Sequence, residues 1–301
     1  MASKQSEALA IQWRSVATRL AANPDLDMVS QRAILDEMQQ LAAEPTNVTY
    51  EEVEAGGRLA LWANPIGAAE DRVILFLHGG GFIAGSINCH RKMAAHLAKA
   101  VGCRALLPDF RLAPEHPFPA QLEDCFAAYR WLVDEGFHHS RIATAGDSAG
   151  GNLATSVCLK LRDENLPLPA AIIGISPWFD MEASGTSIEA NAERCAIGKR
   201  ATYERTIAMV LNGHSPKDPL ANPLYADATG LPPVYLSGSS EEALLDNSER
   251  FAAVARAAGV NVTVEIGEGM QHVYEFMAGR APEADNAIAD IALWLRPKIG
   301  L

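Results

Sequence analysis

The sequence predicts an α/β fold, a mainly parallel sheet with helices on both faces and one insertion. Short apolar runs alternate with longer helix-patterned segments from residue 72 onward, and the runs are apolar enough for strands covered on both sides. Between residues 180 and 220 the alternation stops, leaving helical and loop-like sequence. Composition agrees: the 301 residues are 49% apolar and 21% charged, enough to bury a large core in a single domain.

Taken in order, "SEALAIQWRSVATRLAAN" and "SQRAILDEMQQLAAE" carry apolar residues at helical spacing and predict helices within the first 45 residues. "NVTYEEVEAGGRLALWANP" predicts a hairpin turning at Gly56-Gly57. Six further strands are expected at 72–78, 103–109, 141–147, 170–176, 232–238 and 261–269. An excursion as long as 180–220 is usually a lid or cap. The expected organisation is one domain over 1–301, with a cap contributed by about 1–45 and about 178–220.

The formal charge of −12, with no lysine- or arginine-rich run, argues against nucleic acid as a partner. The N-terminal segment has no uninterrupted apolar core of a signal peptide, and no stretch approaches the roughly 18 apolar residues of a membrane span. The cytoplasm is therefore the expected compartment. The N-x-T sequons at Asn47 and Asn261 are then chance matches. Five cysteines, at 89, 103, 125, 158 and 195, are scattered without a C-x-x-C pair, which argues against a disulfide framework or a thiolate metal site.

In such sheets ligands sit beyond the carboxyl ends of the strands. Three of those ends carry chemistry. "TAGDSAGGN" is G-x-S-x-G between a strand and a helix, the context of a nucleophile elbow, so Ser148 is the candidate nucleophile. "FLHGGGF" follows the first long strand, and its bare backbone suits an oxyanion hole built from the amides of Gly80 and Gly81 with that of Ala149. "GEGMQHVYEF" follows the last strand and supplies His272, the one histidine of eight placed to serve as base in the chain order Ser…acid…His. His78 belongs to the glycine loop and is expected to anchor it. His138 and His139 precede the serine strand at its wrong end, and His90, His96 and His116 read as surface or helix positions.

That order requires a carboxylate between the "VYLSG" strand and His272, where "SSEEALLDN" offers Glu241, Glu242 and Asp246. Asp218 in "KDPLANP" precedes that strand and is excluded. Asp109, Arg111 and Glu115 lie in a proline-rich corner and read as structural. Asp147, beside the serine, either lines the pocket or satisfies turn amides. Phe82, after the glycines, and the cap residues Phe179, Ile197, Tyr203, Ile207, Met209 and Val210 are candidate pocket residues.

Together "HGGGF", "DFRLAPEHPFPA", "GDSAGGN" and the late His272 resemble the bacterial hormone-sensitive-lipase family of α/β-hydrolase esterases, over nearly the whole chain. In that family the acid sits in D-P-L-x-D; here Glu242-Ala243-Leu244-Leu245-Asp246 departs in both the acid and the proline. The alignment puts Glu242 in the acid position, with Asp246 second and Glu241 third. The resemblance implies a serine carboxylesterase of short- to medium-chain esters, needing neither metal nor cofactor. It also implies a possible homodimer. Lactone hydrolases of the monoterpene type are the nearest alternative. Non-catalytic receptors of small ligands, built on the same fold, are another.

Overall fold

A computed structural model describes residues 2–301. Two N-terminal helices come first: α1 (Lys4–Ala22), capped by the Ser3 hydroxyl, and α2 (Met28–Gln39), capped by the Asp27 carboxylate. The expected hairpin follows as β1 (Val48–Ala55) and β2 (Arg58–Pro65). Its two-residue turn places Gly56 at φ +63° and Gly57 at φ +82°, a backbone that glycine adopts without strain.

The remaining strands are β3 (Ala69–Leu77), β4 (Cys103–Pro108), β5 (Ile142–Asp147), β6 (Ala171–Ile175), β7 (Val234–Ser239) and β8 (Val262–Gly267). Every predicted strand is present within a few residues of its predicted bounds. They form one eight-stranded sheet in the order β1-β2-β4-β3-β5-β6-β7-β8. β1–β2 and β2–β4 pair antiparallel, and every other pairing is parallel. This is the α/β-hydrolase sheet.

Successive side chains on a strand point to opposite faces, and the sequence supplies apolar groups to both. Val73, Leu75 and Leu77 of β3 enter one core, while Ile74 and Phe76 enter the other. The first core is closed by α4 (Ala120–Asp134), α5 (Ala149–Asp163) and α8 (Leu245–Ala257). The second is closed by α3 (Ile87–Val101) and α9 (Pro282–Leu295), and α1 adds Leu9, Trp13 and Val16 to it. The segment between β6 and β7 contains α6 (Ser187–Ala190) and α7 (Arg200–Leu211), helical and loop-like as expected. Among the described residues no helix is long and apolar enough to cross a membrane.

Candidate active site

Ser148 caps α5 at the turn out of β5, with φ +51° and ψ −118°. A non-glycine residue there is strained, and the surroundings hold it in place. Its amide donates to Ile175 O at 2.8 Å, and its carbonyl accepts from Trp178 N at 2.9 Å. The flanking glycines are obligatory. A Cβ on Gly150 would lie 1.8 Å from Leu77 O, and one on Gly146 would lie 2.4 Å from both Gly150 and Leu77 O. The serine is 9% exposed.

The glycine loop lies beside it. Gly80 and Gly81 have φ +114° and +64°, and Phe82, a non-glycine residue, has φ +62°. Among the described residues no protein acceptor meets the amides of Gly80 or Gly81. Ala149 is the first residue of α5, so its amide also has no partner within the helix. The Gly79 amide is taken: it donates to Asp147 Oδ1 at 3.0 Å and to His90 Nε2 at 3.2 Å. A Cβ on Gly79 would strike Asp147 Oδ2 at 2.2 Å, so only glycine admits this contact.

Asp147 therefore satisfies a turn amide from beneath the loop, the second of its two expected roles. His90 Nε2 lies 3.4 Å from the same carboxylate oxygen, with both side chains buried. Although burial opposes its charge, the neighbouring Asp147 carboxylate holds the His90 imidazole well above the ordinary histidine range. His90 is a helix position, on α3, as expected, but not a surface one: it is fully enclosed, because it turns inward to Asp147. His78 stacks on Phe110 at 4.1 Å, and its Nδ1 lies 2.8 Å from Gly79 O. Burial and the nearby charge of His90 push its imidazole down to about 3.

The three carboxylates after β7 part company. Glu242 is fully buried; Oε1 accepts from Ser239 N at 2.9 Å, and Oε2 is hydrogen-bonded to His272 Nδ1. Asp246, already inside α8, accepts from Ser187 N at 3.3 Å and so ties down α6. Glu241 faces Arg194 at 3.5 Å. Asn191, from the insertion, donates to the carbonyls of Ser240 and Glu242 at 3.0 and 2.8 Å and so clamps the acid loop.

His272 is 3% exposed. Three buried serines at the ends of β6 and β7 lace its turn to the sheet. Ser239 Oγ donates to Gln271 O at 2.7 Å, Ser176 Oγ accepts from Val273 N at 3.2 Å, and Ser237 Oγ donates to Glu275 Oε1 at 2.8 Å. Glu275 is completely enclosed, and burial pushes its carboxyl up to about 7. The Trp13 ring of α1 lies 6.3 Å from the imidazole.

Of the candidate pocket residues, Phe179 must be reassigned. It is wholly buried and packs on Phe251 at 4.6 Å, so no ligand reaches it without rearrangement. Tyr203 is buried edge-on against Trp178 at 5.3 Å, while Ile207 is partly buried against the same core. Ile197 is partly buried against the other core, and Met209 is half-buried. Phe82 and Val210 border a narrow cavity with room for about one water-sized group (about 10 Å³). A Cβ on Gly81 would be 3.5 Å from both Thr206 and Trp178, which places these two side chains over the loop. Neither stands out in the sequence, where a single threonine or tryptophan carries no pattern.

The other charged candidates are structural. Arg111 binds Asp124 through two nitrogens, and Glu115 pairs with Arg32 of α2. Burial raises the carboxyl of Asp109. Asp218 accepts from Leu220 N at 2.9 Å within its own turn. Among the described residues no group of three or more His, Cys, Asp or Glu is arranged to hold a metal ion.

Comparison with known proteins agrees with this architecture. Residues 74–276 match the family model described as alpha/beta hydrolase fold. An acetyl-hydrolase of Streptomyces hygroscopicus is 36% identical over 296 residues, covering 93% of this chain and 98% of its own. An esterase of Acinetobacter venetianus is 34% identical over 226 residues, 75% of each chain. The crystal structure of an esterase from the bacterial hormone-sensitive lipase (HSL) family superposes with a TM-score of 0.95 at 40% identity, covering 100% of both chains. The chain belongs to the α/β-hydrolase fold family and, within it, to the bacterial hormone-sensitive-lipase esterases.

Proposed function

We propose that the enzyme hydrolyses short- to medium-chain carboxylic esters of small molecules through Ser148, His272 and Glu242, by way of an acyl-enzyme. The observation that carries this reading is the buried contact of Glu242 with His272 Nδ1, which leaves Nε2 as the nitrogen to serve the serine. Ser148 Oγ attacks the ester carbonyl while His272 takes its proton, and Glu242 stabilises the imidazolium. The amides of Gly80, Gly81 and Ala149 hold the oxyanion, each contributing roughly 3 to 4 kcal/mol by comparison with similar donors. His272 then returns the proton to the leaving alcohol. Water, deprotonated by His272, attacks the acyl-enzyme, and collapse releases the acid and restores Ser148.

The N-terminal helices and the segment around α6 and α7 act as the cap. Trp13 packs beside His272, Thr206 stands over Gly81, and Gln271 reaches into the insertion, accepting from Ala196 N at 2.8 Å. A homodimer would use the free edge of β8, the last strand of the sheet.

The test is hydrolysis of p-nitrophenyl esters from acetate to laurate, run beside Ser148→Ala. The reading predicts a maximum at short or medium chains and its loss in the variant. A long-chain optimum would contradict the proposed chain-length range, and full activity in the variant would contradict the nucleophile.

A further inference from the structure

Gln121 sits in the first turn of α4 at 1% exposure. Its amide nitrogen donates to His116 O at 2.6 Å, which identifies the other terminal atom as oxygen. Among the described residues that oxygen meets no donor. Gln121 borders the narrow cavity, together with Phe82, Asn152, Leu153, Val210 and Leu211. Asn152 offers a ligand little, because its nitrogen donates to Trp178 O and Ala221 O and its oxygen accepts from Ser156. The cavity is thus lined by apolar groups and a single open acceptor.

Three of its lining residues follow the candidate reaction residues closely in sequence. Phe82 directly follows Gly81, and Asn152 and Leu153 lie in the first turns of α5 after Ser148. A buried acceptor without a donor is costly, and a site of this kind favours ligands that bring the missing donor. No charged side chain borders the cavity, so an ammonium group would enter without a counter-ion, at a large desolvation cost. A carboxylate would meet only another acceptor. A hydroxyl is neutral, small enough for the space and able to donate.

Resting on the proposed ester hydrolysis, we propose that the acyl chain lies against the opening of this cavity, that only its hydroxyl enters, and that Gln121 Oε1 selects acyl groups carrying one. The substrate class is then short hydroxyacyl esters. Gln121 is a specificity residue that takes no part in proton transfer.

The experiment compares kcat/KM for ethyl butyrate, ethyl 3-hydroxybutyrate, ethyl 4-hydroxybutyrate and ethyl 3-methoxybutyrate, followed by acid release, in the wild type and Gln121→Leu. At least one hydroxy ester is expected to exceed ethyl butyrate by about tenfold, the scale of one recovered hydrogen bond. The methyl ether, which accepts but cannot donate, should show no gain. Gln121→Leu should erase the preference by lowering the hydroxy ester and raising ethyl butyrate. Hydrolysis of ethyl butyrate by the wild type at least as fast as both hydroxy esters would overturn the selection while leaving ester hydrolysis standing, and this comparison does not depend on the variant folding. A preference that survives Gln121→Leu would also overturn it. Failure of the wild type to cleave any of the four would overturn the hydrolase reading and this one together.

Discussion

Glu242 and His272 meet as two buried side chains carried by separate loops, one after β7 and the other after β8. Neighbouring parallel strands bring those loops to the same end of the sheet. Asp246, only four residues further on, points instead to α6. The two carboxylates therefore answer differently to the same change. Glu242→Gln should lower kcat by about three to four orders of magnitude, the scale seen when a triad acid becomes an amide. Asp246→Asn should stay within about threefold of wild type, since it only loosens a contact to the insertion. Steady-state kinetics on one short ester decides. The reverse pattern would transfer the role to Asp246.

The His90–Asp147 pair underlies the glycine loop rather than the reacting atoms. Without His90, Asp147 loses its buried partner at 3.4 Å and the Gly79 amide loses its second acceptor, so the loop is held less firmly. His90→Gln should reduce kcat by about 10- to 100-fold while KM moves by less than about threefold, because the proposed oxyanion amides would matter most in the transition state. A rise in KM with kcat intact would place the residue in substrate binding instead.

Glu275 makes stability depend on pH. Its folded-state carboxyl is raised to about 7 from an ordinary 4.5, so its contribution is fully present below pH 4.5 and is lost as pH rises through 7. The shift corresponds to about 3 kcal/mol. Glu275→Gln keeps the amide neutral throughout. Relative to wild type, it should gain about that much stability between pH 4.5 and pH 7.5, read from urea midpoints at each pH. A difference that does not change with pH would mean that Glu275 is ionised in the folded protein across the range.

Gly150→Ala should be the most damaging of the conservative glycine changes. Its methyl would sit 1.8 Å from Leu77 O, a backbone atom in the centre of the sheet that cannot move aside. A loss of about 3 kcal/mol is expected, seen as a lower melting temperature, together with lost activity from the displaced elbow. Gly57→Ala is the control. Nothing lies within 4 Å of the added methyl, so only the strain of its positive φ remains.

The strands were legible because each supplies apolar groups to two cores, as Ile74 and Leu75 do on β3. Ser148, His272 and the glycine loop stand out in the sequence because the proposed chemistry demands particular neighbours at fixed spacing. The proposed acid stands out less. Glu242 and Asp246 differ by about one helical turn, and only the start of α8 at Leu245 separates a turn residue from a helical one. His90 carried an unused signal: it falls between Ile87, Ala94, Leu97 and Val101, at the spacing of the buried face of α3. Phe179 shows the opposite limit. An aromatic residue after a strand reads the same whether it faces a ligand or, as here, Phe251.

The proposed hydrolysis rests on activation of Ser148 by the buried His272–Glu242 pair. Its most direct test is labelling with a fluorophosphonate, followed by peptide mapping, in the wild type, Ser148→Ala and Glu242→Gln. One adduct is expected, on Ser148, absent from the first variant and formed far more slowly in the second. Labelling of Glu242→Gln at the wild-type rate, or an adduct on any other residue, would contradict it.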